Sequence, residues 1–210
     1  MTQKNVFDNN VDKYENWFKK NNLILHSEIS AIKQLIPDFE KGIEIGTGTG
    51  IFASQLDIKD GIEPSLEMCK KAEDRGINII NGIAENLPIS NDTYQFALMV
   101  TVDCFLENIL QAFKEINRIL SNNGYFIIAF IDRETPLGHM YNKRKAADEF
   151  YSDANFHSAK EIIALLEEAG FEITDKRQTI FTFDNEIQEV KAGVGEGVFA
   201  VIKSKKVPIV

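Results

Sequence analysis

Cysteine is scarce in this chain of 210 residues: Cys69 and Cys104 are the only two, without a CxxC pair, and three histidines accompany them. A disulfide scaffold and a metal site of the usual ligand spacing are excluded, and the two thiols read as free groups of a reducing, cytoplasmic setting. Repeats and Pro/Gly/Ser-rich linkers are absent, which argues against solenoids and against a chain divided into separate domains. A long apolar run is missing too. Residues 96–106 (FALMVTVDCFL) contain Asp103 and fall short of the ~20 residues that span a bilayer, and the N-terminus, MTQKNVFDNNVDKYENW, has no apolar signal core. No membrane partner is expected. Positive charge is in deficit, with 23 Lys and Arg against 32 Asp and Glu, a net charge of −9 and a pI near 4.9. Proteins that hold a phosphate backbone unspecifically are usually basic, so nucleic acid is disfavoured as a partner.

What is present is the composition of an ordinary globular chain, 44% hydrophobic and 26% charged. At roughly 150 residues per domain the length favours one domain, 1–210, with elaborations. Val11, Tyr14, Trp17 and Phe18 recur at spacings of three and four, which predicts an amphipathic helix, and a second helix is expected over 25–36, stopped by Pro37. From residue 42 the pattern changes to short apolar runs at GIEI, GIEP (61–64), INIING (77–82), FALMVT (96–101) and YFIIAFI (125–131). Helix-like stretches separate them, SLEMCKKAEDRG (65–76) and ENILQAFKEINRILSNNG (107–124), the latter expected to be capped by Gly124.

Strands alternating with helices imply parallel βαβ units covered on both faces, and hence an open doubly wound sheet. A polar insert (132–157) precedes one more helix, SAKEIIALLEEAGF, closed by Gly170. The last two runs, EITDKRQTIFTF and VFAVIK, have no helix between them and are expected to pair antiparallel at the sheet edge. The fold class is therefore α/β, with a mainly parallel seven-stranded sheet, an antiparallel C-terminal edge strand and N-terminal helices.

The strongest local signal is EIGTGTG, residues 44–50, where a strand ends and a helix begins. Glycines there let the backbone turn tightly and approach a ligand, with helix N-terminal amides beyond. A dinucleotide fingerprint would place its third glycine at position 51, which is Ile51, and the GK[ST] ending of a phosphate-gripping loop is missing. NAD and nucleoside triphosphates are disfavoured. GVGEG (193–197) has the same glycine spacing, but no helix follows it, and it reads as a hairpin or bulge. Thirteen residues beyond Gly50, Glu63 stands at the predicted carboxyl end of the second strand, where an acid accepts hydrogen bonds from a ribose diol.

Taken in order, EIGTGTG, GIEPS, GIAENLP (82–88) and NRILSNNGYFIIAF (117–130) resemble the class I S-adenosylmethionine-dependent methyltransferases, the type 11 group in particular. The similarity covers residues 40–130, with weaker support from 156–203. It implies a Rossmann-like fold, S-adenosylmethionine as cofactor, and methyl transfer to a small-molecule acceptor by proximity and in-line orientation; a cofactor-binding module without chemistry is the alternative. Gly46, Gly48 and Gly50 would face the methionine part and ribose, with Glu44 orienting the methionyl ammonium. Pro64 belongs to the GIEPS segment that carries Glu63. Met68 would cover the adenine ring, Ala84 and Glu85 would contact the adenine edge, and Thr101 would line the methionine pocket together with Val102. Asp103 would serve as a helix N-cap or a substrate contact.

Two departures accompany the resemblance. Many relatives read FDxV in the fourth strand where this chain has Gln95-Phe96-Ala97, which implies a weakened structural hydrogen bond, and no NPPY-type signature follows that strand. No universal catalytic residue exists to carry over. Candidates for a base lie in the insert, Asp132, His139 and Tyr141, and His139 has the most suitable unperturbed pKa. Tyr14, Trp17, Arg133, His139 and Tyr141 are candidates for acceptor contact. The organisation that follows is an N-terminal helical lid (1–38), a cofactor-binding half (40–130), a substrate insert (131–157) and a segment that completes the sheet (158–210). The basic run Lys143, Arg144 and Lys145 in the insert reads as a solvated helix face, with capture of a small anion as the alternative.

Overall fold

A computed structural model describes residues 3–207. Three helices lead the chain: α1 (Gln3–Asn9), α2 (Val11–Lys20) and α3 (Asn22–Lys33). Strand β1 (Gly42–Ile45) then opens the alternating region, followed by α4 (Ile51–Gln55), β2 (Asp60–Glu63), α5 (Leu66–Asp74), β3 (Asn78–Asn81), β4 (Tyr94–Val100), α6 (Ile109–Ile119) and β5 (Leu120–Ile131). The remainder is α7 (Pro136–Arg144), α8 (Ala159–Glu168), β6 (Phe171–Thr179), β7 (Lys191–Ala192) and β8 (Phe199–Lys206). The sheet order is β3-β2-β1-β4-β5-β8-β6-β7. The first five strands are parallel, and β8 runs antiparallel to both β5 and β6.

The predicted α/β sheet with an antiparallel C-terminal side is what forms. An eighth strand, the two residues Lys191–Ala192, pairs with Arg177 and Gln178, a feature too short to leave a periodic signal. The last strand in sequence does not lie outermost; β8 is inserted between β5 and β6. Central strands are apolar on both faces because helices cover both sides. Phe96, Leu98 and Ile127 pack into one core with α3 and α4, while Ala97, Met99, Phe126 and Ile128 pack into the other with α6 and α8.

Helix α6 buries Ala112, Phe113, Ile116 and Ile119, one stripe at helical spacing. The expected cap at Gly124 does not occur. Leu120 is fully buried and already extended (φ −77°, ψ 137°), so the chain turns from helix to strand four residues early and the register slips between Tyr94 and Phe96 to absorb the extra residues. Helix α3 likewise ends at Lys33, ahead of Pro37. Ser158 and Glu161 form a capping box at the start of α8, an arrangement typically worth about 1 kcal/mol. Gln95, where a weakened structural hydrogen bond is expected, accepts one from the Glu40 amide at 2.7 Å. GVGEG falls in the bend between β7 and β8.

Candidate active site

The carboxyl ends of β1, β2 and β4 meet at one edge of the sheet, and the glycine turn sits there. Gly46 and Thr47 donate to the Ile62 carbonyl at 2.8 and 2.9 Å, which ties the turn to β2. Gly46 has φ +73°, and a Cβ on it would lie 2.3 Å from Val102 Cγ2; only glycine fits. Glu63 spans the turn with both carboxylate oxygens: Gly48 N–H donates to Oε2 at 2.8 Å and Ser65 N–H donates to Oε1 at 2.9 Å. Burial raises the Glu63 pKa, opposed by these two amides. At the end of β4, Thr101 takes φ +52°, a rare conformation for a β-branched residue and a strained backbone beside the site.

These residues open onto a cavity of about 730 Å³, large for the ~300–1,000 Å³ range of pockets that enclose a small ligand. Gly46, Gly48, Glu63, Pro64, Met68, Ala84, Glu85 and Thr101 all lie on its wall, along with Tyr14, Trp17 and Tyr141. The sequence reading therefore brought eleven of its candidates to one place. Glu44 and Gly50 lie outside the wall. Glu44 is buried and its Oε2 accepts from the Ala53 amide at 3.1 Å; burial pushes its pKa up to about 8. Gly50 packs on α5, where a Cβ would meet Ala72 at 3.2 Å. Both shape the turn from behind.

The roof is aromatic and comes from three distant segments: the N-terminal helices, the stretch after β4 and the insert. Phe7 of α1 packs against Phe105 (5.4 Å between centroids) and Phe150 (5.6 Å), and Tyr14 of α2 packs edge-on against Phe18 at 5.0 Å. Phe105 in turn stacks on Tyr151 at 5.7 Å. Polar latches hold the same helices down: Ser65 donates to Asp8 at 2.6 Å, Arg75 pairs with Glu15 at 2.7 Å, and Lys13 pairs with Glu149 at 2.7 Å. Burial raises the Glu15 pKa, but the Arg75 guanidinium outweighs it and leaves Glu15 below the ordinary carboxylate value.

A methyltransferase-domain model matches residues 14–176 of the chain. The chain belongs to the methyltransferase-domain family. A protein of Methanocaldococcus jannaschii is 44% identical over 97% of this chain and all of its own length. A Mycobacterium tuberculosis protein is 33% identical over 80% of this chain, which spans 60% of that protein's length. Among solved structures, a Thermotoga maritima S-adenosylmethionine-dependent methyltransferase, described as a possible histamine N-methyltransferase, superposes with a TM-score of 0.93 at 43% identity, covering 98% of this chain and all of the other. The methyltransferase is of class I and uses S-adenosylmethionine. The cradle fits that cofactor: a turn that admits no Cβ beside Val102, and a carboxylate pinned by two amides at the end of β2.

Three expectations for the insert are corrected in this methyltransferase. Asp132 is buried off the cavity wall and accepts from the Glu134 amide at 3.1 Å, so it shapes the start of the turn before α7. His139 is exposed on α7 and also off the wall. Arg133 points to α8, donating to Glu161 at 2.6 Å and to the Phe156 carbonyl at 3.1 Å. None of the basic run lines the cavity either: Arg144 lies over the Phe183 ring and Lys145 donates to the Ala154 carbonyl. Of the three base candidates only Tyr141 reaches the wall, where burial raises its pKa to about 12.

Sequence reasoning missed two features. Asp103 is neither an N-cap nor a wall residue; its Oδ2 sits 3.1 Å from His157 Nδ1 and its Oδ1 is buried without a partner among the described residues. Burial raises the Asp103 pKa, opposed by His157. The other is Glu28, which lies on the cavity wall from the buried side of α3, between Ile24 and Ile32. Burial raises its pKa to about 8.

Proposed function

We propose that this methyltransferase methylates a small-molecule acceptor enclosed in the 730 Å³ cavity. The observation that carries the reading is the roof: Phe7 and Tyr14 from the N-terminal helices interlock with Phe105 and Phe150 across the opening, which admits a metabolite and shuts out a polymer. The description of the Thermotoga maritima relative, a histamine-sized acceptor, agrees in size. Segments 1–38, 40–130, 131–157 and 158–210 act as one unit, the first and third covering a cofactor half and a sheet-completing half.

In this reading Glu63 accepts hydrogen bonds from the ribose diol, Met68 and Pro64 cover the adenine, Ala84 and Glu85 meet its edge, and Gly46, Gly48 and Thr101 border the methionine part. The cofactor supplies a methyl group already activated on a sulfonium sulfur. The protein's part is to exclude water and hold the acceptor in line, a contribution of several kcal/mol in favourable cases. Glu44 holds the turn through Ala53 behind the methionyl end. Glu63→Ala tests the assignment by calorimetry: S-adenosylhomocysteine affinity falls by at least about tenfold, the worth of a lost charge-assisted hydrogen bond. Unchanged affinity would refute the ribose role.

A further inference from the structure

The cavity has a polar asymmetry. Among the described residues its wall holds the acids Glu28, Glu63, Glu85, Glu107 and Asp148, and no Lys, Arg or His. Glu63 is engaged by the amides of Gly48 and Ser65, and Glu85 accepts from the Glu107 amide at 3.1 Å. Glu28 differs from both. Burial is the sole influence on its ionisation, with no hydrogen bond or cation from the described residues to stabilise its charge. Tyr14, Tyr141 and Tyr151 line the same cavity; burial raises the pKa of all three, and the negative charge of Glu28 adds to it.

A carboxyl group without a partner among the described residues, set among rings, is costly to ionise in the free protein and stays mainly neutral there at neutral pH. It persists where a ligand of opposite charge supplies the missing partner. Its position is also held firmly. Glu28 shares the buried side of α3 with Ile24 and Ile32, and the loop after β6 pins that helix. Asn185 Oδ1 accepts from the Leu23 amide at 3.1 Å, Asn185 Nδ2 donates to the Lys20 carbonyl at 2.8 Å, and the Gln188 amide donates to Ser27 Oγ at 2.9 Å. Phe183 of this loop lines the cavity as well. Aromatic faces with one carboxylate are what a desolvated organic cation requires.

We propose that the acceptor is an amine that enters as its ammonium ion, and that Glu28 binds this ion and takes the proton whose loss frees the nitrogen lone pair. The proposal rests on the small-molecule reading above and narrows it to one substrate class. The balance is simple: the ammonium gives one proton to the Glu28 carboxylate, and the nitrogen lone pair forms the new bond to the methyl carbon. The carbon–sulfur bond breaks with its electrons left on sulfur, and the methylated ammonium leaves while Glu28 releases its proton to solvent. Burial makes the transfer feasible. A Glu28 pKa near 8 lies within two to three units of the roughly 10.4 of an alkylammonium, whereas an exposed glutamate near 4.3 does not.

Isothermal titration into protein saturated with S-adenosylhomocysteine tests this, with 2-phenylethylamine, 2-phenylethanol and 3-phenylpropionate as probes. The amine is expected to bind at least about tenfold tighter than the alcohol, as a charge-assisted pair requires, and the carboxylate weakest. Glu28→Gln is expected to bring the amine to the level of the alcohol while S-adenosylhomocysteine affinity stays unchanged. Should that variant fail to bind S-adenosylhomocysteine, the order of the three probes on the unsubstituted protein decides alone. An alcohol or carboxylate bound as tightly as the amine, or an amine preference that survives Glu28→Gln, overturns the role of Glu28 and leaves the small-molecule reading standing. If no probe binds and methyl-labelled S-adenosylmethionine marks only macromolecules in an extract, both readings fall.

Discussion

Replacing Gly46 by alanine isolates the constraint at the centre of the glycine turn. Two costs add there. Holding an L-residue in the left-handed region, at φ +73°, costs roughly 1–2 kcal/mol. The new Cβ would also lie 2.3 Å from Val102 Cγ2, and forcing a methyl into a filled space typically costs about 1–3 kcal/mol. The sum centres near 3.5 kcal/mol, which for a chain of this size lowers the melting temperature by about 10 °C. Gly76→Ala is the control, because Gly76 has φ +80° and nothing within 4 Å of a Cβ; strain alone predicts about 1.5 kcal/mol, or about 4–5 °C. Thermal unfolding followed by circular dichroism separates the two, and Val102→Ala in the Gly46→Ala background is expected to recover about half of the loss. If Gly46→Ala melts no lower than Gly76→Ala, or Val102→Ala recovers nothing, the close approach of the turn to Val102 is refuted.

Other outcomes follow from buried charges. Glu28 and Glu44 both rise from 4.5 to about 8 in the folded chain, so the folded state binds more protons than the unfolded between those values, and stability present below pH 4.5 is lost as pH rises through about 8. Melting temperatures of the cofactor-free protein should fall across that window, and Glu28→Gln should flatten the fall; an unchanged slope contradicts it. Arg75→Ala leaves Glu15 without its cation and is expected to destabilise by about 2 kcal/mol, with faster amide exchange in α1 and α2; exchange that stays as slow as in the parent would show that Arg75 does not latch the roof. His157→Ala strands Asp103, whose Oδ1 already lacks a partner among the described residues, at about 1–3 kcal/mol in urea unfolding. A midpoint that does not move refutes that pairing.

The parts of the fold legible in sequence were those encoded locally. Apolar runs of four to seven residues, glycines at strand ends and a closing glycine such as Gly170 marked the elements, and EIGTGTG with Glu63 marked the edge where the cavity lies because the turn chemistry lies within twenty positions. Gly124 misled because the choice between a longer helix and an earlier strand is settled by burial of Leu120 in the sheet, a tertiary matter. His157 and Asp103 lie 54 positions apart and leave no shared pattern. Glu28 hid in an amphipathic helix, where one acid among Ile24, Ile29 and Ile32 looks like an ordinary charged residue until the cavity beside it is seen. The insert was judged by composition, which revealed its charges but not their directions: Arg133 and Lys145 are consumed in holding the insert itself, while its aromatics face inward.

The placement of β8 between β5 and β6 also dictates an order of assembly. Strands β1 to β5 join neighbours drawn from residues 42–131, so this half of the sheet can form from contacts of modest sequence separation. The other half cannot, because β6, paired otherwise only with the two-residue β7, is joined to β5 only through β8, which is tied to β5 by such bonds as that from Ser204 to the Phe126 carbonyl across 78 positions. Contacts of that separation form slowly. On that order the glycine turn and Glu63 are in place before Ile180, Val198 and Phe199, which also line the cavity, join it.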